Sequence, residues 1–343
     1  MLNSEHPIVQ FLMRYRMIAG LVVLLIAGLA LWLSTRPDDS LADVVPEDAS
    51  VADTLALNII LTPTLDCLPL YHAVMSGMAD SMKLALNIRT ETSQFDVDSI
   101  MRRTRRFDGA VFDDHRLARY QKVEGKASMP DANRSSAKSV EKSNATKRGS
   151  KKVGTKVAPR AFHPMPALTE VIRLQSLWRL LTSSTVRIRE VKKLQKRTVA
   201  ISRFSASSAC MGEALAGAGL KETDVYQAQI NDFGIRTDML TEAQVDAALL
   251  PEPYATCAML RGHRVVWSAS DSISRSALCF RSEVLKNPRK LQQADLLKKV
   301  YARAAADLNR RGTHAADSAL IKVYHLPSQV IDTLRLPAYK VGK

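Results

Sequence analysis

KRTVAISRFSASSACMGEALAGAGLKETDVYQAQINDFGIRTDMLTEAQVDAALLPEPYA, residues 196–255, alternates short aliphatic runs with helix-like stretches, and this alternation decides the fold class. The run TVAIS (198–202) reads as a strand. A serine-rich turn at 204–208 then opens a helix to about Ala218, and Gly219 supplies its stop. A strand at 225–230, a helix at 235–242 and a strand at 247–250 follow, the last ending on Pro251-Glu252-Pro253. Strands that alternate with helices in this way pair in parallel, with helices covering the sheet.

The same rhythm runs upstream. TLALNIIL (54–61) is a short aliphatic strand ahead of Thr62-Pro63-Thr64, and 68–78 reads as a helix. A strand at 84–90, a helix at 97–104 and a strand at 109–112 come next, before Asp113-Asp114. A structured stretch at 171–181 ends in a polar turn at 182–185. Past Gly262, strands are expected at 265–267 and around 277–280, then a helix with its core at 291–309 and a shorter one at 315–324. A chain of 343 residues is long enough for two lobes with separate cores.

Two segments stand outside this pattern. MIAGLVVLLIAGLALWL (17–33) carries no charge and lies between Arg14/Arg16 and Arg36; it is apolar on every face and about as long as the shortest bilayer-spanning helix. It lacks a small-x-small cleavage site, so it reads as an uncleaved transmembrane anchor, with 1–16 in the cytoplasm and the rest of the chain outside. The polar stretch 34–53 reads as a flexible stalk. The second segment, 121–160, holds eleven Lys or Arg against three acids and reads as a disordered insertion that carries more than half of the net +15. Such a tract could touch anionic lipid or nucleic acid through counterion release, but it has no aromatic to stack on bases, so nucleic acid is not expected and a solvated linker is the simpler reading.

Cys67, Cys210, Cys257 and Cys279 are too far apart for a metal-ligand pattern, so neither metal nor cofactor is expected; buried thiols and disulfides both remain open. No G-x-S-x-G, H-E-x-x-H, Walker or dinucleotide fingerprint appears, and the seven histidines are scattered, which leaves an enzymatic role without support. Candidate ligand-binding residues follow from the rule that open α/β sheets bind at strand ends. These are Thr62, Thr64 and Asp66 after the first strand, and Asp113 and Asp114 after the third. Ser205, Ser207 and Ser208 at a helix start could cradle an anion or carbonyl, although helix capping alone explains them. Glu252 could accept from a ligand amine or ring N–H, or could simply cap.

Taken together, KRTVAISRFSASS (196–208), EALAGAGL (213–220), INDFGIRTDML (230–240) and VDAALLPEPYA (245–255) resemble, in order and spacing, the periplasmic substrate-binding proteins of ABC importers. The branch is that for nitrate, sulfonates such as taurine, and pyrimidine precursors of thiamine. Weaker likenesses lie in PLYHAVMSG (69–77), FDGAVFDD (107–114) and LPSQVIDTLRLPAY (326–339).

The resemblance implies a two-lobed α/β periplasmic-binding-protein-like fold (type II), with 54–195 and 266–343 forming lobe I and 196–265 lobe II. It also implies an ABC permease as partner and a small polar ligand, anionic or heteroaromatic, in the cleft. Three departures stand beside it: the anchor, the basic insertion, and ADSMKLALNI (79–88), which lacks the family's glycine-rich link. Two other functions remain in view, a sensor or scaffold that uses the basic tract and an enzyme of thiamine-precursor or menaquinone synthesis on the same fold.

Overall fold

The computed structural model describes residues 56–127, 164–270 and 273–340, with side chains omitted at 121–127. The expected anchor and stalk, and the basic tract beyond Ala127, lie outside the described residues.

Two five-stranded sheets carry the fold. In the first, β1 (Leu57–Leu61) pairs in parallel with β2 (Leu86–Thr90) and with β3 (Gly109–Asp113). The strand β10 (Ser276–Arg281) runs antiparallel beside β3 and links it to β4 (Leu168–Leu174), giving the order β2-β1-β3-β10-β4. The second sheet repeats the plan with the remaining five strands. Here β6 (Thr198–Ile201) is parallel to β7 (Tyr226–Gln229) and β8 (Ala247–Pro251), while β5 (Trp178–Thr182) runs antiparallel between β8 and β9 (Arg264–Ser268). The chain therefore passes from the first sheet to the second between β4 and β5, and β10 lies back in the first sheet after β9 in the second.

Period-two alternation builds a core on each side of each sheet. Leu57, Ile59 and Leu61 face one cluster with helices α1 (Leu68–Met75) and α8 (Pro288–Arg311), while Ile60, Ala110 and Phe112 face another with Val97 and Met101 of α3 (Gln94–Arg103). Leu249 and Leu250 divide the second lobe's two clusters in the same way. The inner strands β3, β8 and β10 are buried throughout, as expected of strands covered on both faces. At Gly109 a Cβ would lie 2.6 Å from the Cys279 carbonyl oxygen, so the β3–β10 contact needs a residue without one.

Several expectations need correction. The stretch 171–181 is not one element, because β4 bonds to β10 whereas β5 bonds to β8 and β9; the second sheet therefore claims residues from Trp178, well before the expected lobe boundary at 196. The expected helix 68–78 breaks at Gly77 (φ 72°), and α2 (Met78–Ser81) follows as a separate turn, followed by Lys83, which also has positive φ. Helix α4 (Asp114–Ala127) carries regular structure into the tract read as disordered from 121, anchored through Leu117 and Tyr120 on the Phe112 cluster. Residues 315–324 divide into a 3₁₀ turn and α9 (Asp317–Lys322), ahead of the short α10 (Ser328–Thr333). All four cysteines are free thiols.

Candidate functional site

The ends of β1, β3 and β6 face one another across the two lobes and enclose a cavity whose centre leaves about 30 Å³ for water-sized groups. One such group needs roughly 10–15 Å³, so only a very small body fits between the lobes as they stand. Lobe I supplies Thr62, Thr64 and Asp66 from the loop after β1, and Asp113 from the end of β3. Lobe II supplies Ser205 and Ala206 from the start of α5 (Ala206–Gly217).

The loop after β1 is pinned by the C-terminal segment. Tyr324 Oη donates to the Thr64 carbonyl at 2.8 Å and Tyr339 Oη to the Leu65 carbonyl at 2.7 Å. Within the loop, the hydroxyls of Thr64 and Ser276 donate to the two oxygens of Asp66, the latter at 2.6 Å. No base reaches this carboxyl among the described residues. Burial pushes its pKa up, against the pull of those hydroxyls.

Asp113 is also buried. Its Oδ1 accepts from the Arg116 backbone N–H at 2.9 Å, and its Oδ2 lies 3.6 Å from Arg116 Nε. Arg116 is shared, since it also pairs with Asp98 and reaches Ser202 Oγ at 3.3 Å. Desolvation prevails over that partial pairing and raises the Asp113 pKa to about 7.

Four expected site residues do not line the cavity. Asp114 turns outward to an exposed pair with Arg173. Ser207 is buried behind the wall, where its hydroxyl accepts from the Ser202 N–H at 3.4 Å and from Arg236 Nη1 at 3.2 Å. Ser208 caps its own helix: it accepts from the Ser205 N–H at 3.2 Å and donates back to the Ser205 carbonyl. Glu252 is a packing carboxylate. Its Oε2 accepts from the Thr256 N–H and hydroxyl at 3.0 and 2.7 Å, and its Oε1 lies 2.8 Å from Arg179 Nε as an ion pair rather than a straight hydrogen bond. Its neighbour Pro251 lines the cavity instead.

Other lining residues escaped the sequence reading. Asn231 and Phe233 follow β7, a strand end to which the same rule applies. Ser176, Trp178 and Ser276 flank the two crossings, which no local pattern announced. Arg236, fully buried, donates to the carbonyls of Ile230 and Leu249, and burial lowers its pKa to about 9.

Several bonds hold the lobes together around this cavity. Leu65 N–H donates to the Glu252 carbonyl at 3.0 Å, Ser93 bridges Asp232, and Arg275 holds Glu213 of α5 by two bonds of 2.7 and 2.8 Å. The Arg119 guanidinium lies 4.0 Å above the Phe204 ring.

No protein-family model matches the chain, and no curated protein matches it in sequence. Solved structures do. The periplasmic aliphatic sulphonate binding protein SsuA of Escherichia coli superposes with a TM-score of 0.56 at 17% identity, over 82% of this chain and 79% of that one. The alkanesulfonate-binding SsuA of Xanthomonas axonopodis pv. citri, bound to MOPS, gives 0.60 at 13%, over 84% and 87%. The periplasmic nitrate-binding protein NrtA of Synechocystis PCC 6803 gives 0.59 at 11%, over 81% and 69%. At such identities the likeness is one of architecture, and together with the doubled sheet order and the two crossings it identifies the described part of this chain as a two-lobed periplasmic-binding-protein fold.

Proposed function

We propose that this chain is a membrane-tethered solute-binding protein that closes two lobes on a small polar ligand and presents it to an ABC-type permease, without covalent chemistry. The single observation that carries this reading is a cavity lined from both lobes and sealed by bonds between them, because a ligand held there stabilises the closed form by its extra contacts. The ligand-binding residues on this reading are Thr62, Thr64, Asp66, Asp113 and Ser205, joined by Asn231 and Trp178. Residues 17–33 hold the protein in the cytoplasmic membrane as a single-pass anchor, with the two-lobed part on the periplasmic side. This geometry keeps the binding lobes close to a permease in the same bilayer.

The test is thermal denaturation of the purified full chain against nitrate, alkanesulfonates, small amines and aminopyrimidines. A ligand at about 100 times its dissociation constant adds roughly 2.7 kcal/mol to a native state it alone recognises. The expected result is a rise with one solute class that is lost in Asn231→Ala. A folded protein that responds to no solute would sink the reading and favour the sensor or scaffold role.

A further inference from the structure

We propose that the cleft selects a small organic cation, a protonated amine or amidine with several N–H groups, and rejects the oxyanions bound by the sulphonate and nitrate proteins of the same fold. The inference rests on the solute-binding reading and adds the charge of the solute.

Three observations lead there. The first is the charge of the wall: Asp66 and Asp113 line the cavity, and no Lys, Arg or His does. Both oxygens of Asp66 accept hydroxyl protons, an arrangement that suits the ionised carboxylate, yet no counterion of its own reaches it among the described residues. A buried carboxylate without a cation is costly, and a bound cation removes that cost.

The second is the fate of the hydrogen-bond donors. The start of α5 would be the natural oxyanion seat, but two of its N–H groups, those of Ser207 and Ser208, already serve Ser205 Oγ. The Asp113 carboxyl lines the same cavity as Ala206 at that helix start, so an oxyanion placed there would meet a like charge. Four lining hydroxyl protons are spent in the same way: Thr64 and Ser276 on Asp66, Ser205 on the Ser202 carbonyl at 2.6 Å, and Ser202 on Asn231 Oδ1 at 2.9 Å. The Trp178 N–H goes to Ser176 Oγ at 3.1 Å. Gln94 Oε1, by contrast, is a buried acceptor without a partner on the cavity wall.

The third is the remaining surface. Trp178 and Phe233 line the lobe II side, and the negative face of an aromatic ring attracts cations. The buried Arg236 already lies over the Phe233 ring, 5.4 Å from its centroid, which leaves Trp178 as the ring for a ligand; Arg236 itself sits behind the wall, held by backbone carbonyls and Ser207, with no lining atom of its own. The free space suits a body of a few heavy atoms.

The test is isothermal titration of the purified full chain at pH 8 with acetamidinium, methylguanidinium and ethylammonium chlorides. Sodium nitrate, sodium methanesulfonate and neutral acetamide, at matched ionic strength, form the comparison. We expect saturable binding of at least one cation, none of either anion, and at least tenfold weaker cation binding in Asp66→Asn and Asp113→Asn. Circular dichroism and thermal midpoints identify a variant that fails to fold, in which case the native protein's own selectivity decides. Binding of an anion, or of acetamide as tightly as acetamidinium, overturns the charge inference and leaves solute capture standing. Silence toward all six probes counts against both.

Discussion

The third strand of each sheet leads onto an acid, and the two acids have opposite duties. β3 and β8 hold the same place in their sheets, Asp113 closing one and Glu252 following the other. Both are buried, at 6% and 2% exposure. Glu252 meets Arg179 and the Thr256 donors and turns away from the cavity, whereas Asp113 shares Arg116 with Asp98 and faces the cavity. A strand-end carboxylate is thus a packing group or a site group according to whether a base of its own is at hand, and that base comes from elsewhere in the chain.

The largest effect expected from breaking this contrast is a change in how stability depends on pH. The groups that face Asp113 are Arg116 from α4, Asp98 from α3 and Cys210 from α5. Its folded pKa of about 7 lies above the unfolded value of about 3.9, so the folded state binds the proton more tightly. Stability from this group is therefore complete below about pH 4, and is lost as the pH rises towards and through 7. Asp113→Asn should flatten that fall and leave the variant more stable than the native protein at pH 8, by roughly 2–4 kcal/mol. Urea denaturation at half-unit steps from pH 4 to 8 reads this directly. An unchanged slope would mean that Asp113 is not the desolvated group described here.

Glu252 should behave in the opposite sense. Glu252→Ala removes the Arg179 pair and two bonds to Thr256, and should lower stability by about 2 kcal/mol at pH 7. The figure stays below that for a fully buried pair because Arg179 keeps 27% of its side chain in solvent. Solute affinity, measured well below the unfolding midpoint, should change little. A variant with native stability that no longer binds would instead return Glu252 to the site.

How far the sequence could have told these two acids apart shows where legibility ends. Strand-end carboxylates are visible in a linear reading because β1, β3 and β8 are aliphatic runs with abrupt polar stops. That local signal puts Asp66 in the turn after β1 and Asp113 at the end of β3. It could not separate Asp113 from Glu252, because Arg179 reaches Glu252 from β5, more than seventy residues away. The strand β5 was itself hidden, since β4 and β5 are parted only by Gln175, Ser176 and Leu177, and nothing local says that the two pair with different sheets. Gly77 shows the reverse case: its positive φ ends a helix at the kind of residue that commonly does so, a local signal that the reading of 68–78 as one helix passed over.

The smallest expected effect belongs to the neighbour of Asp113, which makes it the sharpest control. Asp114 lies one residue further on, where the chain enters α4, and its side chain is 41% exposed beside an Arg173 that is 44% exposed and also held by Glu170. Exposed pairs of this kind contribute little because solvent screens them and ordering two long side chains costs entropy. Asp114→Asn should therefore change stability by less than about 0.5 kcal/mol, and it should leave both the pH slope and the solute affinity as they are. Charge and sequence position are almost the same in the two aspartates, and only burial differs. If Asp114→Asn reproduced the effect of Asp113→Asn, the pH dependence would belong to the general acidity of this corner. A silent Asp114→Asn beside a marked Asp113→Asn would assign it to the aspartate of the two that has lost its solvent without gaining a base of its own.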